Sequence, residues 1–72
     1  MADWDGLDEF VAVAETGSFT RAASRLGSSV AHVSRQVKAR EARTGVRLLQ
    51  RTTRKVSLTE EGHVYLAHCR QI

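Results

Sequence analysis

Three glycines, Gly17, Gly27 and Gly45, divide the first 45 residues of this 72-residue chain into short segments, and their spacing limits the fold more than any other feature. Ahead of Gly17, apolar residues recur at i, i+3, i+4 and i+7, the repeat of one helix face. The repeat consists of Leu7, Phe10, Val11 and Ala14. It predicts a first helix over about residues 5–16, and the acidic residues near its start suit the helix dipole.

The next two segments predict a pair of helices with a short connection. Thr20 is a suitable N-cap for a helix of about two turns, which Gly27 ends. Ser28 or Ser29 then caps a third helix that reaches about Arg43. Two helices joined by three to four residues that include a glycine are typical of a helix-turn-helix.

Beyond Gly45 the pattern changes to two short apolar runs around a basic middle, residues 50–55. The runs contain Val46, Leu48 and Leu49 on one side and Val56 and Leu58 on the other. This arrangement predicts a two-stranded ribbon with a cationic tip, which is a wing. Thr59 then caps a fourth helix with two carboxylates in its first turn. The predicted fold is mainly α: a three-helix core, a two-stranded β wing and the start of a C-terminal helix.

Basic residues are concentrated in the middle of the chain. Between residues 16 and 58 the sequence has ten lysines and arginines and one acid, Glu41, whereas the other acids lie near the two ends. Such segregation is typical of a face that binds a polyanion. Composition leaves alternatives open, because basic patches also bind acidic proteins or membranes, and a solvated surface with helix-end pairing explains some of the charge.

Size and composition disfavour several classes of protein. A chain this short buries only roughly 60% of the surface of its unfolded form, which leaves little room for an enclosed catalytic core. No run of 18 apolar residues is present and the N-terminal segment is acidic, so we expect no membrane span, no secretory signal and a cytoplasmic protein. The single cysteine, Cys69, cannot form an internal disulfide, and the three histidines are too scattered for a zinc site. We therefore predict no metal, no cofactor and no enzymatic activity.

Four motifs occur in the order of a known family. They are FVAVAETGSFTRAA at 10–23, VSRQVK at 33–38, GVRLLQRTTR at 45–54 and LTEEG at 58–62. Together they resemble, nearly end to end, the N-terminal DNA-binding domain of LysR-type transcriptional regulators. The resemblance implies a winged helix-turn-helix that binds double-stranded DNA sequence-specifically in bacteria, with a recognition helix in the major groove and a wing in the minor groove.

The resemblance also divides the chain. Residues 1–58 correspond to the DNA-binding domain, with the helix-turn-helix at about 19–38 and the wing at about 46–58. Residues 59–72 correspond to a truncated linker helix, through which the full-length family members form homodimers or higher oligomers. The family's C-terminal domain, which binds a small-molecule effector, is expected to be missing from this chain.

Three positions depart from the family pattern. Where the family often has Ser-Gln-Pro-Ala-Val-Ser, residues 29–34 read SVAHVS, so Val30 replaces a glutamine that reads bases. A valine cannot donate to an adenine edge, but its methyl groups suit a thymine methyl. Arg40 and Thr44 stand where the family usually has leucines on the core side. If both point inward, each needs water or a polar partner, and Arg40 is long enough to extend its guanidinium to the surface.

In the docking geometry implied by the family, the start of the third helix meets base edges and flanking phosphates. The predicted base-contacting residues are Ser29, Val30, Ala31, Ser34 and Arg35. Arg35 is the predicted guanine reader, since arginine donates two hydrogen bonds to that base. The alternative is an arginine that is merely exposed to solvent.

A second group of residues is predicted to contact phosphates or to act through the wing. This group is Ser18, Thr20, Ser28, His32, Lys38, Arg51, Thr52, Thr53 and Arg54. Its hydroxyls near helix starts are alternatively ordinary caps, and both roles are compatible because a capped helix N-terminus attracts anions. Arg54 suits a narrow minor groove, with a loose charged hairpin as the alternative. For His32 the alternative is a neutral surface histidine.

The fourth helix carries the predicted dimerisation contacts on one apolar face. They are Tyr65, Leu66, Cys69 and Ile72. Cys69 is either a packing or a dimer-contact residue, and nothing in the sequence supports the low thiol pKa of a redox sensor.

Two competing functions remain at this point. A protein-interaction module would bind duplex DNA no better than a generic polyanion such as heparin. A nucleic-acid-processing enzyme is the weaker alternative, because the sequence has no cluster of metal ligands or carboxylates.

Overall fold

The computed structural model describes residues 7–51 and 56–70. In chain order its elements are α1 Leu7–Thr16, α2 Phe19–Leu26, α3 Val30–Thr44, β1 Leu49–Arg51, β2 Val56–Leu58 and α4 Glu60–Arg70. The predicted mainly α fold with a two-stranded ribbon is confirmed. The predicted start of the first helix, near Asp5, lies outside the described residues.

Serine N-caps and glycine C-caps explain where α2 and α3 begin and end. Ser18 and Ser29 are extended, and each hydroxyl accepts a hydrogen bond from the N–H three residues later, at 3.1 and 3.0 Å. Gly27 and Gly45 close these helices in the left-handed region, with φ of 64° and 77°. The prediction of Thr20 as the cap of α2 is wrong: it is the second residue of the helix, because the extended backbone that a cap requires occurs at Ser18.

The core lies where α1, α3 and the first strand converge, with α2 packed against it through small residues. Its largest fully buried side chains are Phe10, Leu48, Leu49, Val13, Val33 and Val37. Ala22 and Ala23 are the buried residues of α2, and their small side chains allow its backbone to approach closely. Because α3 buries Val33 and Val37, the opposite side of that helix faces solvent.

The wing is defined here as β1, β2 and the segment that joins them. The two strands are antiparallel, with Leu49 opposite Leu58 and Arg51 opposite Val56. Leu49 is buried at its inner end, whereas Arg51 is exposed at its outer end. The ribbon is therefore anchored in the core at one end and polar at the other.

Thr59 joins the wing to α4. Its N–H donates to the Leu48 carbonyl at 3.1 Å, and its hydroxyl donates to the Arg47 carbonyl at 2.6 Å. The same hydroxyl accepts a hydrogen bond from the Gly62 N–H at 2.9 Å. Thr59 therefore caps α4, as the sequence predicts. A Cβ at Gly62 would overlap the Leu48 carbonyl oxygen, so α4 approaches the base of the wing at a distance that only glycine permits.

The apolar face of α4 is turned into this domain's own core. Leu66 is only 7% exposed and belongs to the core cluster, with Tyr65 and Cys69 packed against that cluster. The Tyr65 ring meets Phe10 edge to face, with centroids 5.6 Å apart. Leu66 thus contributes to the core of this domain, and its predicted role in dimerisation stays a prediction. Ile72 lies outside the described residues.

The two polar residues at family leucine positions have different environments. Arg40 is 5% exposed, so it does not extend its guanidinium to the surface as the sequence suggested. Thr44 is half-buried, and its hydroxyl donates to the Glu41 carbonyl at 3.1 Å. Thr44 therefore satisfies its polar group through its own helix.

Candidate nucleic-acid interface

The first two turns of α3 present the residues predicted to contact bases. Ser29, Val30 and Ala31 are exposed, and Val30 keeps 44% of its surface in solvent. One turn later Arg35 is exposed and Ser34 is half-buried. The start of α3 therefore presents an apolar side chain, Val30, and a cationic one, Arg35, to solvent.

The basic residue at the next turn, Lys38, shares this exposure. No carboxylate within residues 7–51 and 56–70 forms an ion pair with Arg35 or Lys38. Their charges are therefore not offset by an acidic neighbour in the described part of the protein, and they remain available to an anionic ligand.

The predicted hydroxyl contacts lie at or near helix ends. Ser18 is the N-cap of α2 and Thr20 is exposed in its first turn. Ser28 is half-buried, and its N–H donates to the Ala23 carbonyl at 2.9 Å, so its backbone belongs to the end of α2. Caps and exposed hydroxyls at these places supply donors of the kind that bind phosphate oxygens.

Helix N-termini differ in charge across the molecule. The first turns of α2 and α3 contain no acidic residue. Those of α1 and α4 each contain two, Asp8 with Glu9 and Glu60 with Glu61. An acid in the first turn offsets the positive end of the helix dipole, so the two helix-turn-helix helices keep theirs for another anion.

His32 is engaged on the side of α3 that faces α1. Its Nε2 lies 3.5 Å from the Oε2 of Glu9, which is mostly shielded from solvent. When protonated, the imidazole is attracted by this carboxylate, which competes with a phosphate for the same ring nitrogen. Its contact with phosphate stays a prediction.

At the wing, the structure describes one of the four predicted contact residues. The Arg51 guanidinium carbon lies 4.3 Å from the centroid of the Phe19 ring, within the range of a cation–π interaction. Thr52, Thr53 and Arg54 lie outside the described residues. No local signal in the sequence places Phe19 beside the wing, because Phe19 belongs to α2 and Arg51 to β1.

Glu41, the one acid in the basic stretch, has a structural role that the sequence analysis missed. Its Oε2 accepts hydrogen bonds from the N–H groups of Leu48 and Leu49, at 2.8 and 3.1 Å. The carboxylate thus links α3 to the first residues of the wing. Glu41 is the one acid between residues 16 and 58, which singles it out in the sequence without indicating its partners.

Away from this surface, Glu15 joins three helices. Its carboxylate pairs with Arg25 of α2 at 2.7 Å and with Arg70 of α4 at 3.4 Å. The hydrogen bonds from Arg25 and then Arg70 hold the pKa of Glu15 below its ordinary value. The charge of Arg25 is therefore offset by Glu15, unlike those of Arg35 and Lys38 within the described residues.

The thiol of Cys69 has the opposite tendency. Burial raises the pKa of Cys69, and the nearby Arg40 guanidinium only partly opposes this effect. A raised thiol pKa lowers the thiolate fraction, which agrees with packing rather than redox sensing.

Within the described residues, no group of three histidine, cysteine or acidic side chains is arranged to hold a metal ion. No described helix is long and apolar enough to span a bilayer.

Comparison with known sequences identifies a family. A sequence model described as "Bacterial regulatory helix-turn-helix protein, lysR family" matches residues 4–63. An HTH-type transcriptional regulator of Xanthomonas campestris pv. campestris is 54% identical over 63 residues, 88% of this chain and 18% of the relative. The HTH-type transcriptional activator AllS of Klebsiella pneumoniae is 49% identical over 71 residues, 99% of this chain and 26% of the relative. The chain thus spans about a fifth to a quarter of the length of these relatives.

Solved structures share the fold. A crystal structure of the CbnR DBD in complex with DNA superposes with a TM-score of 0.88 at 44% identity, covering 92% of this chain and 76% of that one. A complex of the BenM DBD with catB site 1 DNA gives a TM-score of 0.87 at 39% identity, covering 92% and 74%. In both comparisons the likeness extends to sequence as well as to fold.

Proposed function

Because this chain belongs to the lysR family of bacterial regulatory helix-turn-helix proteins, we propose that it binds double-stranded DNA sequence-specifically, with the start of α3 in the major groove and the wing in the minor groove. The CbnR and BenM structures that it resembles were solved with DNA. We assign no catalytic role to the domain.

The observation that carries this proposal is the exposed start of α3. Val30 and Arg35 are open to solvent there, while Val33 and Val37 anchor the helix in the core. A helix held by one face and presenting its N-terminal residues on the other has the geometry that places side chains at base edges. The acid-free N-termini of α2 and α3 add donors for the flanking phosphates.

Within this surface we propose separate roles for two side chains. Arg35 donates to the O6 and N7 of a guanine, and the methyl groups of Val30 contact a thymine methyl. Ser29, Ala31 and Ser34 line the same turns at adjacent base pairs. Arg51, Lys38 and the hydroxyls of Ser18, Thr20 and Ser28 contact phosphates and fix the register of the domain on the duplex.

We further propose that the whole protein regulates transcription as a homodimer or higher oligomer. Its subunits would associate through the continuation of α4, and a domain outside this chain would sense a small-molecule effector. Contact with chromosomal DNA implies a cytoplasmic, nucleoid-associated location. Since Leu66 is buried, Tyr65 and Cys69 are half-exposed candidates for this contact, together with Ile72.

The proposed function is tested by a selection of random duplexes followed by a salt titration. We expect an enriched site, tighter binding to it than to heparin, and a fall of log K with log salt of about 0.9 per phosphate neutralised. Equal affinity for the enriched duplex, random duplex and heparin would instead indicate a generic polyanion-binding module.

Val30 offers a sharper test of the docking. Glutamine at this position hydrogen-bonds adenine, whereas valine contacts a thymine methyl. Selection with the Val30→Gln variant should therefore change the preferred base at one position and leave the rest of the site unchanged. An unchanged site would remove Val30 from the base-contacting set.

A further inference from the structure

Two side chains from distant parts of the sequence stack where the helix-turn-helix meets the wing. Phe19 is the first residue of α2, and Arg51 is the last residue of β1. The Arg51 guanidinium carbon lies 4.3 Å from the centroid of the Phe19 ring, well inside the roughly 6 Å limit for cation–π attraction. The stack therefore connects the outer end of the first wing strand to the start of α2.

The stacked guanidinium keeps its hydrogen-bond donors available. A cation–π contact uses none of the five N–H donors of the guanidinium, and within the described residues no side-chain hydrogen bond from Arg51 occupies them. Arg51 is exposed, and no carboxylate within residues 7–51 and 56–70 forms an ion pair with it. An oxygen ligand can therefore bind the edge of the guanidinium without breaking the stack.

We infer that Phe19 is a positioning residue, which holds the Arg51 guanidinium in place to bind a DNA phosphate at the junction between α2 and the wing. This inference rests on the proposed DNA binding. An arginine that is already ordered loses less side-chain freedom when it binds, and this saving corresponds to about two- to tenfold in affinity. Phe19 is half-buried, so its ring is itself fixed by the domain.

A double-mutant cycle separates this role from general stabilisation. Phe19→Leu keeps an apolar side chain but removes the ring face, Phe19→Tyr keeps the ring, and Arg51→Ala removes the cation. The dissociation constant for the enriched duplex is measured for each variant, and for the Phe19→Leu, Arg51→Ala double variant, over a range of salt concentrations.

We expect Phe19→Leu to weaken binding two- to tenfold and Phe19→Tyr to stay within about twofold of the wild type. Arg51→Ala should lower the salt slope by about one. In the Arg51→Ala background, the leucine substitution should change the dissociation constant by less than about twofold, because the group that Phe19 positions is gone.

The stack is also visible without DNA. Protons of an arginine side chain held over a ring are shifted upfield in the NMR spectrum, and Phe19→Leu should return those of Arg51 to their usual positions. Thermal unfolding identifies any variant that fails to fold. In that case the upfield shifts of the Arg51 protons in the wild type still test the contact between Arg51 and Phe19.

Several results would overturn the inference. They are an equal loss from Phe19→Leu in both backgrounds, an Arg51→Ala variant with unchanged affinity and salt slope, and Arg51 protons without a ring shift in the wild type. These outcomes leave the proposed sequence-specific DNA binding by α3 standing, although the second would remove Arg51 from the phosphate contacts. Wild-type protein that binds duplex DNA no better than heparin would overturn the proposed function and this inference together.

Discussion

The helix-turn-helix and the α1–α4 pair deal with charge in opposite ways. α1 and α4 offset their own N-terminal dipoles with acids in the first turn, and Glu15 neutralises arginines from α2 and α4. α2 and α3 rely on serine caps and have no acid in the first turn. The helix dipoles of α1 and α4 are thus offset within the domain, whereas the N-termini of α2 and α3 stay open to an anion from outside it.

This difference shows how a small domain separates stability from binding. Groups that would stabilise the helix-turn-helix alone, such as an acid beside its helix N-termini, would also repel a phosphate. The stabilising hydrogen bonds of Glu41 and Thr59 lie instead at the base of the wing. Substitutions there and in each region test this division between stability and binding.

The largest effect is expected at Gly62, where α4 meets the base of the wing. In Gly62→Ala the new Cβ would overlap the Leu48 carbonyl oxygen, which cannot rotate away. We expect a loss of about 3 kcal/mol in the free energy of unfolding, measured by urea denaturation. At a helix position without a close neighbour, glycine to alanine would instead raise the free energy of unfolding by about 1 kcal/mol. A stabilised Gly62→Ala variant would therefore contradict the close approach of α4 to Leu48. The matched control, Ala67→Gly at an exposed position of α4, should cost about 1 kcal/mol.

Removal of the Glu41 carboxylate is the next largest change. Glu41→Ala leaves the Leu48 and Leu49 N–H groups without their acceptor and should cost about 1–3 kcal/mol in unfolding free energy. Glu41→Gln keeps an acceptor oxygen and should lose much less. Glu60→Ala, which removes an exposed acid, is the control and should cost under about 1 kcal/mol. Equal losses in all three would show that Glu41 does not hold the wing.

Two arginines of the helix-turn-helix, Arg25 in α2 and Arg35 in α3, provide a direct comparison in DNA binding, because only Arg25 is paired with an acid of α1. Arg35→Ala should cost roughly 1–3 kcal/mol on the enriched duplex and relax the preference at one base pair. Arg25→Ala removes an arginine that Glu15 already neutralises, so its effect on affinity should be smaller and the same for all sequences. Competition binding with specific and random duplexes measures both. If Arg35→Ala weakens the two duplexes equally, Arg35 contacts phosphate and not a base.

The smallest effect concerns pH and the Glu15 network. The pKa of Glu15 is lowered in the folded protein, so its contribution to stability is complete above the ordinary glutamate value of about 4.3 and is lost as the pH falls through the folded value. The difference in stability between the wild type and Glu15→Gln should therefore shrink on acidification. Urea denaturation at neutral and acidic pH measures it. A difference that grows towards low pH would contradict the assignment.

Helix positions were accessible to sequence because their signals are local. The repeat of Phe10 and Val11 with their neighbours, and the glycines at 17, 27 and 45, set α1, α2 and α3 to within a few residues. The choice between Ser18 and Thr20 as N-cap was not accessible, since both side chains cap well. The N-cap is the residue with the extended backbone, which is Ser18. With Ser18 as the cap, Phe19 is the first residue of α2 and packs against the core.

Sequence by itself determined the mainly α order of elements, the basic middle of the chain and the resemblance to a DNA-binding family, because periodicity, caps and composition act over a few residues. Tertiary structure alone decided that Leu66 faces inward, that Glu41 accepts hydrogen bonds from Leu48 and Leu49, and that Phe19 contacts Arg51. An apolar helix face can pack equally well against its own core or against a second copy of the chain. A charge pattern likewise does not determine which group each charge contacts. Those choices are made by contacts between residues that are far apart in the chain, which no local pattern encodes.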